Sequence, residues 1–266
     1  MLQIQVTFNQ YIRPIQNKKN MKKIFLSLSV LFITSSLFSQ TVNDIISKYH
    51  TAIGGDKWAS VKNMFMTANV DAGGMMIPVE VVMMSDGRMY TKINFQGQEI
   101  IQGAFDGETV WSTNFMTQKA EKAESDDTEN TKRGAKSFPN ALVTYKSQGY
   151  TPTLMGDETI DGVKCFKIKL DKKTMLSEGI EVPSIEYYYI DAENFVPILT
   201  ETEIPTGEMK GKIAQTKYSD YQEVDGVMIA FSQASGIKDG MSQNITFDKV
   251  LINTTVNEKT FTFPSN

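Results

Sequence analysis

Thiol and imidazole are nearly missing from this chain: its 266 residues hold one cysteine, Cys165, and one histidine, His50. A single cysteine forbids an internal disulfide, so the fold must rest on packing. A zinc site normally takes three or four Cys or His ligands, and a Ser-His-Asp triad needs a positioned base. His50 and Cys165 fall in different elements with no partner cluster, so neither a metal nor a cofactor is expected. A phosphate-binding loop is missing too, because Gly54-Gly55 and Gly73-Gly74 lack a following Lys-Ser/Thr and a strand-to-helix setting. Positive charge is also short. The formal net charge is −4, and without residues 1–39, which carry five basic groups and no acidic one, it is −9. An acidic chain with no basic stripe argues against nucleic acid as a partner and against adhesion to anionic lipid headgroups.

What is present begins with a leader. Met21-Lys22-Lys23 precedes "IFLSLSVLFITSSLFSQ", a basic start, an apolar stretch and then small polar residues. This is the pattern of a secretory signal peptide, with cleavage expected after Ser39 and Gln40 as the new N-terminus. No cysteine stands at the cut to take a lipid anchor. Residues 1–20 fit no targeting pattern, which points to Met21 as the true start. Residues 40–266 are then one exported, soluble domain.

"TVNDIISKYHTAIGG" reads as an amphipathic helix capped by Asn43 or Asp44, with Ile45, Ile46, Tyr49, Ala52 and Ile53 as its apolar stripe. A second short helix is expected near Lys57–Val61. From Asn63 the period changes to two, giving strands at 63–71, 75–84, 88–95, 98–105, 108–115, 151–158, 163–171, 184–190, 195–203, 209–222, 227–236 and 241–252. Asp-Gly pairs at 86–87, 106–107, 161–162, 225–226 and 239–240 are hairpin signals. Helical crossovers for parallel strands are missing, so the expected fold is a large antiparallel meander. Residues 117–137 are almost devoid of apolar side chains and read as a mobile charged excursion, either a solvated loop or a lid. Phe138, Ala141, Leu142 and Tyr145 then mark a short helix.

Methionine is concentrated where a core would use better-defined shapes. "MMIPVEVVMMSDGRMY", residues 75–90, holds five, with Met64 and Met66 just upstream. Met75, Ile77, Val79, Val81 and Met83 line one face of the strand, yet Met76, Pro78, Val82 and Met84 leave the other face apolar as well. Pro78 suggests an edge strand or a bulge. Such a sheet is either covered on both sides or holds an apolar ligand on one. Glu80 is the acidic exception, read as an outward-facing residue. Cys165 is expected on the less buried face of its strand, as an inert apolar residue.

The segments "IISKYHTAIGG", "FQGQEIIQGAFDGETVW", "ALVTYKSQGYTPTLMGDETIDGVKCFKIKL", "EYYYIDAENFVPILTETE", "YSDYQEVDGVMIAFS" and "FDKVLINTTVNEKTFTFP" follow one another in an order that resembles the outer-membrane lipoprotein-sorting family, the LolA/LolB-like periplasmic carriers. The resemblance spans about residues 41–264, and order and spacing carry it more than any one motif. It implies a mainly β fold: a curved antiparallel sheet forming an incomplete β-barrel, with an N-terminal helix and a short helical or loop lid over the concave apolar face. It also implies a non-enzymatic periplasmic carrier of lipoprotein acyl chains or other lipids, with donor and acceptor proteins at the inner and outer membranes. Burying about sixteen methylenes is worth on the order of 10 kcal/mol, which a soluble shuttle must offset with a cavity. The expected lining is Met64, Met66, Val79, Val81, Met83, Met89, Ile93, Phe95, Ile101, Trp111 and Leu142, with Tyr187 and Tyr189 on a facing strand. A strand-parity slip of one would turn several of these outward. Two other readings stay open: a sensor of the same fold recognising lipoproteins or a protein partner, and a lipid hydrolase using Glu80 or His50.

Overall fold

The computed structural model describes residues 40–71 and 75–264. The expected start at Met21, the leader at 21–39 and the Gly73-Gly74 turn lie outside them. Thr41 caps helix α1 (Val42–Ala52) in a reciprocal capping box with Asp44, two residues before Asn43, the earlier of the two caps expected from the sequence. Ile45, Ile46 and Tyr49 are its buried face, as the stripe requires. A 3-10 turn (Gly55–Ser60) follows.

Six strands come next: β1 (Asn63–Asp71), β2 (Met76–Met84), β3 (Met89–Phe95), β4 (Gln98–Phe105), β5 (Val110–Thr113) and β6 (Ala120–Lys122). Helices α2 (Ser125–Gly134) and α3 (Ala141–Gln148) separate them from β7 (Thr151–Ile160), β8 (Val163–Ser177), β9 (Ile180–Asp191), β10 (Pro197–Glu203), β11 (Ile213–Val224), β12 (Val227–Ile237) and β13 (Ser242–Ile252). All thirteen form one sheet, β6-β5-β4-β3-β2-β1-β13-β12-β11-β10-β9-β8-β7. Two consecutive meanders are thus welded in the middle by β1 and β13, with Met66 opposite Val250. Strands β6 and β7 end the sheet unpaired with each other, so the barrel is open. At 161–162 and 225–226 both turn residues have positive φ, the geometry for which Asp-Gly is suited.

The two faces of the sheet are covered by different parts of the chain. On the inner face, α1 and α3 bury Ile45, Ile46, Tyr49, Leu142 and Tyr145 against Met64, Ile168, Leu170, Tyr188 and Ile190. On the outer face, Val82, Tyr90, Ala104 and Trp111 lie beneath Phe261, with Val256 and Phe263 beside it. Trp111 Nε1 donates to the Phe261 carbonyl at 2.8 Å, and Arg88 binds Asp86 and Glu258. The C-terminal segment therefore covers Val82 and Met84 on the outer face of β2, while Met76 and Pro78 of the same face stay exposed. Nor is β2 an edge strand: β1 pairs with it throughout, and β3 stops at Val79–Ile93, one residue short of Pro78. Beyond that point the missing proline N–H costs no bond to β3.

Residues 117–137 are more ordered than their composition implies. Strand β6 and helix α2 lie within them. No side chain of α2 is buried, so it is held by polar contacts. Asp126 and Asp127 suit its N-terminal end, and Lys132 and Arg133 its C-terminal end. Asn130 exchanges two 2.8 Å hydrogen bonds with the backbone of Leu176, Arg133 forks onto Glu181 at 2.8 and 2.9 Å, and Asp126 accepts from the Gly179 N–H at 2.7 Å. Lys132 reaches Glu108 at 2.7 Å, so the helix bridges β4–β5 and the β8–β9 hairpin.

Two outcomes are expected. Leu170→Ala, at a fully buried position, should cost about 2–5 kcal/mol in urea unfolding. Arg133→Ala should speed hydrogen exchange in 125–134 with little change in the global urea midpoint. Hydrogen bonds from Arg133 and Thr174 hold the Glu181 carboxyl at about 2, below the ordinary 4.5. The latch is therefore complete above pH 4.5 and is lost as pH falls toward 2, which exchange measured across that range will show.

Candidate functional site

Helix α1 and the cap of α3 stand off from part of the inner face and leave a cavity of about 350 Å³. That volume lies at the lower end of the ~300–1,000 Å³ usual for small-ligand sites. One wall is apolar and soft: Met64 and Met66 from β1, Met83 from β2, Met228 and Ile229 from β12, and Ile53 and Trp58 below α1. These come together because directly paired residues share a face, as Met64–Met83 and Met66–Val81 do. Trp58 is oriented by a 2.8 Å bond from its indole N–H to the Ile53 carbonyl.

The other wall is amphipathic. Glu186, Tyr188, Thr200, Tyr218, Tyr221 and Gln233 reach it from β9–β12. Tyr188 donates to Glu186 at 2.9 Å, and Lys172 holds the same carboxylate at 3.0 Å. Tyr221 donates to the Pro197 carbonyl at 2.6 Å, and Thr200 and Tyr218 share a 3.3 Å contact. Asn140 donates to the Tyr49 hydroxyl at 2.6 Å. Desolvation raises the pKa of Tyr49, Tyr188, Tyr218 and Tyr221 above the usual tyrosine range. These phenols stay protonated, and the wall presents neutral hydroxyls beside one ion-paired carboxylate.

A second cavity of about 230 Å³ lies between the β2–β3 hairpin and the α2–α3 connection, walled by Met83, Met84, Met89, Phe138 and Pro139. Met83 and Pro139 wall both spaces. A larger depression of about 430 Å³ at the end of α1 is lined by His50, Asp56, Lys57 and Glu223. Its charged walls are mostly exposed, unlike the buried or half-buried methionine wall.

The expected lining residues divide by strand parity. Met64, Met66 and Met83 line the main cavity, Met89 the second one, and Val81 packs beside Met66. Leu142 is on α3 and fully buried, within the apolar cluster that adjoins the cavity. Val79 and Ile93 continue the inner row from Ala68, and Phe95 packs on Phe115 at 5.6 Å near the end of β3. Ile101 and Trp111 face outward instead, because Ile101 pairs with Lys92 and Trp111 with Ala104 in the outer row. Ile100 takes the inner position opposite Ile93. Tyr187 and Tyr189 also face outward, where Tyr189 donates to Glu201 at 2.7 Å and Lys167 lies over both rings. Tyr188, between them, is the residue that enters the cavity. Alternation alone cannot choose within three consecutive tyrosines.

Glu80 and His50 are not brought together. Glu80 sits on the outer face, accepting from Tyr90 at 3.0 Å and paired with Lys92 at 3.2 Å. Among the described residues no group of three His, Cys, Asp or Glu side chains is placed to hold a metal ion. Cys165 is fully buried against Tyr189 and Leu199, contrary to its expected exposure, and burial pushes its thiol up to about 11. Its strand face is covered by tyrosine and leucine from neighbouring strands, which its own alternation does not reveal.

No family model matches the chain, and no curated protein matches it. Solved structures do. A DUF1329 family protein from Desulfovibrio piger superposes at a TM-score of 0.51 with 11% identity, covering 84% of this chain and 98% of that one. A LolA superfamily protein from Nitrosomonas europaea gives 0.49 with 15% identity, covering 84% and 98%. A proposed outer membrane lipoprotein-sorting domain from Vibrio parahaemolyticus gives 0.49 with 13% identity, covering 82% and 94%. The likeness to the Desulfovibrio protein is one of fold, and it places this chain among open antiparallel barrels with helices on the inner face.

Proposed function

We propose that this chain is an exported, non-enzymatic carrier that holds an acyl chain of a lipoprotein, or of another lipid, inside its barrel. The carrying observation is the methionine wall of Met64, Met66, Met83 and Met228 around a partly open space. Unbranched thioether side chains repack around tails of different length, which suits a site that must hold its cargo and release it. The opposite wall complements the linkage end of such a lipid. Tyr218 and Thr200 hydroxyls and the Gln233 amide offer donors to ester or amide oxygens. Met83 and Pro139 separate the two cavities, so a new Met83 rotamer would join them and admit a longer tail. Donor and acceptor proteins at the two membranes, and passage through the periplasm, belong to the same proposal and rest on the sequence resemblance.

Native purification followed by lipid extraction and mass spectrometry tests it. Acylated material should co-purify, and a consistently empty protein would overturn the reading. Met83→Asp places a charge on the half-buried cavity wall. It should lower co-purifying acyl material about tenfold or more, with the strand signal in circular dichroism retained, because an unpaired charge excludes an alkyl tail.

A further inference from the structure

The strand connections sort onto two rims with opposite surface chemistry. Every neighbouring pair is antiparallel and β1 lies beside β13, so the β1–β2, β3–β4, β5–β6, β8–β9, β10–β11 and β12–β13 connections share one rim. The other five hairpin connections share the opposite rim, where α1 leads into β1. That second rim has the composition of ordinary solvated turns, with Asp-Gly at 86–87, 106–107, 161–162 and 225–226.

The first rim is different. Met75 precedes β2 and Met76 opens it, Phe115 and Met116 join β5 to β6, and Ile180 opens β9. Met209 lies between β10 and β11, and Met241 between β12 and β13. All are exposed, Met116 at 88% and Met241 at 95%. Among the described residues, the exposed large apolar side chains away from this rim are Met155 and Val163. Charge divides in the same way. In the connections of the first rim, Lys119, Lys210 and Lys212 offset Glu178, Glu208 and Asp239, while Lys238 is bonded to Glu201 at 2.9 Å. In those of the second rim, Asp86, Asp106, Glu108, Asp161, Glu193 and Asp225 face one base, Arg88. The net charge of the whole chain conceals this division.

We propose that the methionine-bearing rim docks on a lipid bilayer surface. Its apolar side chains sit on five separate connections. A bilayer accepts such spaced insertions, whereas a protein partner needs one contiguous complementary patch. Lysines next to the tips meet headgroup phosphates. The acidic rim stands roughly 13–40 Å away, along strands of four to twelve residues, beyond the Debye length of about 8 Å, so its repulsion is largely screened. This orientation goes beyond the carrier reading and does not depend on what fills the cavity.

Flotation of the chain from Gln40 onward, which contains the whole described fold, with phosphatidylcholine–phosphatidylglycerol vesicles tests the proposal. Wild type should float with the vesicles. The double variant Met116→Glu with Met241→Glu should lose about tenfold or more of that partitioning, and Val163→Glu on the acidic rim should lose none. Equal binding by the double variant, or loss of binding by Val163→Glu, would overturn it. So would a failure of wild type to float, or a dimer in sedimentation that the double variant abolishes, since the rim would then serve a second copy. Circular dichroism identical to wild type confirms that each variant is folded.

Discussion

An antiparallel sheet of thirteen strands that does not close has more inner surface than its own side chains fill. Everything else in the molecule answers that constraint. Helices α1 and α3 fill part of the space with Ile45, Ile46, Tyr49 and Leu142, each worth roughly 1.5–3 kcal/mol when fully buried. They stop short of the row through Met64, Met66 and Met83, and the cavity is what remains. Seen from its site, the protein is a sheet with a plug that is deliberately too small.

The outer face and helix α2 are held by other means, and the means differ in strength. Phe261 and its neighbours cover Val82, Tyr90 and Trp111 by apolar contact, which is hard to reverse without unfolding. Helix α2 is held by side-chain bonds to the β8–β9 hairpin and buries no side chain. Exposed polar contacts of this kind exchange readily with water. The inner plug is therefore held more firmly than α2, which makes α2 the readier of the two to detach.

Much of the architecture was legible in the sequence because its signals are local. Alternation marked the strands, Asp-Gly pairs marked the hairpins, and the stripe Ile45, Ile46, Tyr49 and Ile53 identified the face of α1. The failures have a physical pattern. Trp111 follows the register shift between Gln102 and Phe105, after which alternation along β4 no longer gives the face. Ile101 precedes that shift and changes face through the Gln96-Gly97 turn, which pairs odd positions of β3 with even positions of β4. Tyr187 and Tyr189 flank the true lining residue in a run with no polar punctuation. Helix α2 was hidden because its partners, Leu176, Gly179 and Glu181, lie more than forty residues along the chain.

The amino-acid sequence by itself determined the antiparallel meander, the apolar stripe of α1 and the surplus of methionine in β2 and β3. Backbone propensity, side-chain period and turn chemistry act over a few residues. Only the tertiary structure decided that one apolar face of β2 belongs to the C-terminal segment and the other to a cavity. It also decided that Tyr188 lines that cavity, and that the exposed methionines of distant hairpins share one rim. Those facts depend on which strand lies beside which, and on bulges that change register. The weld between β1 and β13, far apart in the chain, sets them all.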